Sequence, residues 1–178
     1  MKATGIVRRM DDLGRVVIPK EIRRILRIRE NDPFEMFTTD DGIFLKKQKV
    51  AGRITDSKIL LGAIQQIVMA PILLCNMDSV IDSVWIVESK YRGRALTDEI
   101  TQIIEERNFY VHGDGMPDVP VFEGSKLIAE MIMPIIPKGY LFGALIIPQS
   151  GEPLHWDNAS LSLKMAAKYL ELYLEETQ

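Results

Sequence analysis

The stretch DDLGRVVIPKEIRR, residues 11–24, sets Arg15, Lys20, Arg23 and Arg24 behind two acids, a glycine and a proline. These side-chain types suit anion recognition. Arginine carries a planar fork of N–H donors that fits two phosphate oxygens, or the guanine edge in the major groove. On a helix over residues 19–28, PKEIRRILRI, the residues Lys20, Arg23, Arg24 and Arg27 share one sector roughly 100° wide. Ile22, Ile25 and Leu26 take the opposite side. Like charges at i, i+3 and i+4 repel by roughly a few tenths of a kcal/mol per pair, and only Glu21 stands near enough to offset them. A face that accumulates such repulsion points to an anionic partner; the alternative is a plain solvated surface.

The distribution of charge sharpens this. Residues 1–53 carry 13 Lys/Arg against 8 Asp/Glu, a net of +5, and residues 54–178 carry 9 against 17, a net of −8. Together these make the chain's −3. A basic head on an acidic body is the expected reading.

The elements that must position the cations are short. TGIVRRM, residues 4–10, reads as a strand, DDLGR as a turn in which Gly14 takes positive φ, and VVI, residues 16–18, as a second strand. Pro19 suits the first turn of the basic helix. PFEMFTT alternates as a half-buried strand, DDG at 40–42 is a hairpin turn, and IFLKK returns. So small a β–turn–β–helix–β–turn–β unit buries a thin core and needs oligomerisation to complete it. An intertwined dimer would set two basic faces side by side.

The run TGIVRRMDDLGRVVIPKEIRRILRIRENDPFEMFTTDDGIFLKK resembles the swapped-hairpin DNA-binding domain of the AbrB/MazE/SpoVT family, on the branch of transition-state and sporulation regulators. The motif GIVR, then LGRVVIP, then E and RR carries the resemblance. Asn31 departs from it, since that branch commonly has glycine there; asparagine tolerates left-handed φ next best. The resemblance implies that two chains exchange hairpins and grip double-stranded DNA through arginines. By position Arg8, Arg15, Arg23 and Arg24 match the family's DNA-contacting arginines, and the charge pattern adds Arg9 and Lys20. Gly14 matches the turn glycine and Pro19 the helix start. Asp11 and Asp12 are expected to orient the loop and its arginines, because carboxylates facing phosphate would repel it.

The boundary falls at 49–54, giving a head of residues 1–52 and a second domain of residues 53–178. TDSKILLGAIQQIVM, residues 55–69, is expected as a helix capped by Thr55 or Asp56, its Leu61, Ile64 and Val68 facing either its own domain or a second chain. PILLCN and VIDSVWIVE make two strands around Met77-Asp78-Ser79. A helix at 97–107 has Thr97 as its cap and acids in its first turn. FYVHGDGMPDVPVFEG gives a strand, a loop and a short strand; AEMIMPIIPKGYLFGALIIPQ gives a central hairpin turning at Pro137-Lys138-Gly139. A helix from about 157 to 176, capped by Asp157, closes the chain. The fold class is α+β, and the order of elements resembles a GAF domain, which implies a regulatory or oligomerisation role.

No metal-ligand spacing surrounds His112 or His155, and no nucleophile elbow is present, so an enzyme is not expected. No cofactor and no metal are expected. Cys75, in ILLCN, reads as a buried structural thiol. No apolar run is long enough for a membrane span, and the N-terminus lacks a signal-peptide core, so a cytoplasmic, nucleoid-associated protein is expected. Tyr91, Arg92 and Arg94 offer a contact for an anionic effector, against the simpler reading of solvated surface. The function expected is a homodimeric, or homotetrameric, DNA-binding transcription regulator, whose second domain senses an unknown small-molecule effector or drives assembly. The alternative is an antitoxin-like protein that neutralises a partner toxin.

Overall fold

In the computed structural model the described residues are 4–29, 32, 34–47, 57–85, 91–151 and 154–176. The chain divides into two compact units, Met1–Gln48 and Lys49–Gln178.

In the first unit, alternation in FEMFTT and GIFLKK builds a two-stranded hairpin. β1 (Phe34–Thr39) pairs antiparallel with β2 (Gly42–Lys47) from Phe34 opposite Lys47 to Thr39 opposite Gly42, around Asp40-Asp41. Phe37 and Phe44 sit opposite each other with ring centroids 6.2 Å apart. The expected half-burial of this hairpin is not met, because β1 is exposed beyond Phe34. Nor do residues 4–10 and 16–18 form strands. Only the tip of that hairpin closes, through Asp11 N–H to the Arg15 carbonyl and Gly14 N–H to the Asp11 carbonyl, each 3.0 Å. A β ladder needs a partner for each arm, and these arms have none among the described residues.

The basic helix is shorter than its periodicity suggests. α1 runs Lys20–Ile25, with Pro19 at the N-cap. Arg27 adopts φ +49, and Ile28 N–H reaches back to the Arg23 carbonyl at 2.7 Å while Arg27 N–H reaches that of Arg24. This is a Schellman closure with arginine in the left-handed position usually given to glycine. It turns Arg27 out of the row formed by Lys20, Arg23 and Arg24.

The second unit is a five-stranded antiparallel sheet in the order β4-β3-β7-β6-β5, with β3 at Ile72–Asn76, β4 at Val80–Val84, β5 at Tyr110–Val111, β6 at Ala129–Ile135 and β7 at Gly143–Pro148. Helices α2 (Ser57–Val68) and α4 (Trp156–Glu176) cover one face with a core of Leu61, Ile64, Val68, Leu145, Leu163 and Leu170. Helix α3 (Asp98–Glu105) and the segment around Phe122 cover the other. Leu61, Ile64 and Val68 are therefore spent on their own domain, which corrects pairing through them with a second chain. Thr55 and Asp56 lie outside the described residues, as do Asn31 and the end of the VIDSVWIVE strand.

Thr97 caps α3 as expected, its Oγ1 accepting the Ile100 N–H at 3.3 Å, with Asp98 and Glu99 in the first turn. The β6–β7 hairpin turns at Pro137–Gly139 and lies at the centre of the sheet. Two boundaries differ. Asp157 lies inside the first turn of α4 rather than capping it, because Ala159 N–H bonds the His155 carbonyl one position earlier. The strand expected near 120 is a single bridge between Pro120 and Ile128. Cys75 is fully buried and burial pushes its thiol pKa up, so it is a core residue.

Gly143 is required by close strand approach: a Cβ there would strike the Cys75 carbonyl oxygen. Gly62 meets no such contact. Gly143→Ala is expected to cost about 3 kcal/mol or more. Gly62→Ala, in a helix interior, should add about 0.5–1 kcal/mol. Urea denaturation of the two variants checks both, and equal effects would contradict this packing.

Candidate nucleic-acid interface

Gly14 takes φ +74 at the tip of the first hairpin, where a side chain would be strained. That conformation turns the chain back so that Asp11 can reach Arg15. Asp11 Oδ1 accepts the Arg15 N–H at 2.7 Å and the Leu13 N–H at 3.1 Å, while Oδ2 accepts Arg15 Nε–H at 2.8 Å. The carboxylate thus fixes both the backbone and the guanidinium of one arginine, whose side chain stays 70% exposed. The Arg15 backbone N–H, then its guanidinium, hold the Asp11 carboxyl below its ordinary 3.8, with the Leu13 N–H adding to this against a small opposing effect of desolvation. Asp11 does the orienting foreseen for the acid pair; Asp12 takes no part in it.

Lys20, Arg23 and Arg24 project from α1, and all three are exposed. Arg8 and Arg9 are exposed on the arm before the turn. The side chains of Arg9, Lys20, Arg23 and Arg24 make no hydrogen bond or ion pair with the described residues, and Arg8 reaches only the carbonyl of Val7, at 3.4 Å. In one chain the structure brings Arg23, Arg24 and Lys20 together on a helix and Arg15 onto a tied turn. Arg8 and Arg9 sit on an arm without ladder partners among the described residues.

One positioning device was not foreseen. Lys47, at the end of β2, donates to the Arg27 carbonyl at 2.6 Å and pairs with Asp32 at 2.8 Å. Asp32 in turn accepts the Arg29 N–H at 2.6 Å. Lys47 thus ties the C-terminal end of α1 to the second hairpin. The nearest sequence signal was Asp32 and Lys47 flanking β1 and β2, which pairing brings to the same end.

In the second unit, Arg94 lies 4.8 Å over the Phe122 ring and Tyr91 stacks on it at 5.4 Å. Arg94 also donates to the Glu123 carbonyl at 3.4 Å. These two residues hold the loop onto the domain. Among the described residues, no group of three or more His, Cys, Asp or Glu is arranged to hold a metal.

Residues 7–52 match the family described as antidote-toxin recognition MazE, bacterial antitoxin. Residues 57–175 match the family described as stage V sporulation protein T C-terminal, transcription factor. The chain is 36% identical over 151 residues to stage V sporulation protein T of Bacillus subtilis (strain 168), spanning 83% of this chain and 84% of that protein. It is 49% identical over 67 residues to the transition state regulatory protein AbrB of the same organism, spanning 34% of this chain and 70% of the relative. A solution structure of the N-terminal DNA recognition domain of the Bacillus subtilis transition-state regulator AbrB is 59% identical, with a TM-score of 0.24. It covers 28% of this chain and 92% of that one.

The Asp11–Arg15 tie has a definite pH dependence. A carboxyl whose folded pKa is depressed contributes above its unfolded value and loses that contribution as pH falls through the folded value. In a carbon-detected NMR titration, the Asp11 carboxyl should titrate below 3.8, with the Arg15 Nε–H signal following the same midpoint. Independent midpoints would show that the tie does not exist in solution.

Proposed function

This chain belongs to the stage V sporulation protein T family, and from that membership we propose that it is a DNA-binding transcription regulator of sporulation or transition-state genes. Double-stranded DNA meets Arg8, Arg9, Arg15, Lys20, Arg23 and Arg24. The observation that carries the reading is a set of exposed cations on one small unit, one of them pinned by Asp11 and the rest unanswered by acids among the described residues. Phosphate contacts give affinity without a base code, and arginine forks can add guanine contacts in the major groove.

A homodimer through exchanged hairpins is the assembly this head supports. None of its described residues is buried, and Val7 and Val17 are 85% and 72% exposed on the unpaired arms. The underside of α1 is open as well, with Ile25 71% exposed. A second chain supplies the missing core and doubles the basic surface.

The second unit supports further assembly or effector sensing on a GAF-like sheet. Leu161, Met165, Tyr169 and Leu172 recur at i, i+4, i+8 and i+11 on α4 and are all exposed. A homotetramer built on this stripe fits it. The protein is not an enzyme in this reading, and it acts in the cytoplasm on the nucleoid; no described helix is long and apolar enough to cross a membrane. The antitoxin alternative rests on the MazE description of residues 7–52. Against it, the described residues between 57 and 176 form a packed sheet and helices rather than a short toxin-wrapping tail.

Arg23→Ala with Arg24→Ala removes four cations from a dimer. Affinity for duplex DNA at moderate salt should fall about tenfold or more, and the logarithmic salt slope should shrink by about 2–4. Fluorescence anisotropy across a salt series reads both, and unchanged affinity would sink the assignment. Leu161→Glu with Met165→Glu should lower the mass found by sedimentation by one assembly step; an unchanged mass rules out the α4 stripe as an interface.

A further inference from the structure

The ends of β6 and β7 and the start of α4 enclose a cleft of about 450 Å³ in the second unit. That volume falls within the roughly 300–1,000 Å³ of small-molecule sites. Its apolar lining comes from Ile147 and Pro148 at the end of β7, from Leu154, and from Trp156, the first residue of α4. Gln149 adds an exposed amide. Among the described lining residues, Glu130 is the one that carries a charge.

Glu130 sits where β6 bulges, its register shifting between Ala129 and Met131. The side chain is half-buried, and its carboxylate makes no hydrogen bond or ion pair with a described residue. Its main-chain carbonyl is already committed, accepting the His112 N–H at 2.8 Å. The neighbouring Tyr110 hydroxyl is pushed up first by burial, then by the charges of Glu130 and Asp118. Asp157, in the first turn of α4, answers the positive end of that helix.

A half-buried carboxylate is stabilised by a cation that it can hydrogen-bond, and an indole face attracts the same charge. We propose that the cleft binds an organic ammonium, a primary amine on a short apolar body. The ammonium meets Glu130, and the body lies on Leu154 and Trp156. An organic anion would be repelled by Glu130, and a neutral apolar molecule would leave the carboxylate unpaired. This deepens the effector-sensing reading of the second unit, and its test contains no DNA, so its failure is separate from failure of the DNA assignment.

The chain has two tryptophans, so Trp85→Phe leaves Trp156 as the only indole emitter. The full chain carrying that substitution is titrated near neutral pH with hexylammonium, hexanol and hexanoate, which share one apolar body. Hexylammonium should shift the Trp156 emission saturably and bind about tenfold more tightly than hexanol, with no saturable response to hexanoate. Adding Glu130→Gln should erase most of the preference for the ammonium while leaving hexanol binding unchanged. Trp156→Ala, read by calorimetry, should weaken hexylammonium binding independently of that strand residue. Equal binding of hexylammonium and hexanol, no saturation by hexylammonium, or indifference to both Glu130→Gln and Trp156→Ala would overturn the proposal.

Discussion

The head is too short to bury its own apolar side chains, and its other features follow from that constraint. Its second hairpin and its helix are in place, yet Ile25, Phe37 and Phe44 on them, and Val7 and Val17 on the arms, are exposed. Burial of apolar surface is the main favourable term in folding, so such a unit gains most of its stability from whatever covers it. Two covers suit its two kinds of surface: apolar surface of a second copy for the arms and helix underside, and DNA for the cations. In the proposed dimer these are linked, because pairing the arms also sets the orientation of Arg8, Arg9 and the Arg15 turn. Local devices fix what a single chain can fix alone. Asp11 holds Arg15, and Lys47 holds the end of α1.

The second unit has the opposite economy. Its sheet is covered on both faces, and α2 buries Leu61, Ile64 and Val68 against it. The central hairpin is fastened to α4 by side chains, with Glu171 accepting the Ile136 N–H and Glu175 the Lys138 N–H, both at 2.9 Å. Those bonds hold Lys138 in a left-handed turn, at φ +44, that a lysine adopts only when neighbours over-determine it. What α4 keeps free is its outer stripe, and what the sheet keeps free is the Glu130 cleft. A self-sufficient domain can offer such surfaces to a partner or a ligand without losing its own core.

Much of this was legible in the residues, for identifiable reasons. Alternation in FEMFTT and IFLKK, the Thr97 cap followed by two acids, and the Pro-Lys-Gly turn are local signals, and local structure obeyed them. The cationic cluster was legible because like charges on one helix face demand an explanation. The end of α1 was not, since the 3.6-residue pattern continues through Ile28 while the backbone turns at Arg27. The arms at 4–10 and 16–18 read as strands by composition, but a ladder is a relation between segments, and these arms find no partner among the described residues. Lys47 and Glu130 escaped for a related reason. Each role depends on residues brought near by strand register or a bulge, which spacing along the chain does not encode.

Hydrogen exchange on the full chain tests the central claim most directly, read at amides 5–10 and 15–18 over a range of protein concentrations, with and without duplex DNA. Arms that complete their ladders with a second chain should gain protection together as concentration rises through the dimerisation range, and added DNA should extend protection across the Arg15 turn and α1. Arms that exchange at the unprotected rate at every concentration, while the protein still binds DNA, would contradict an interface assembled by hairpin exchange.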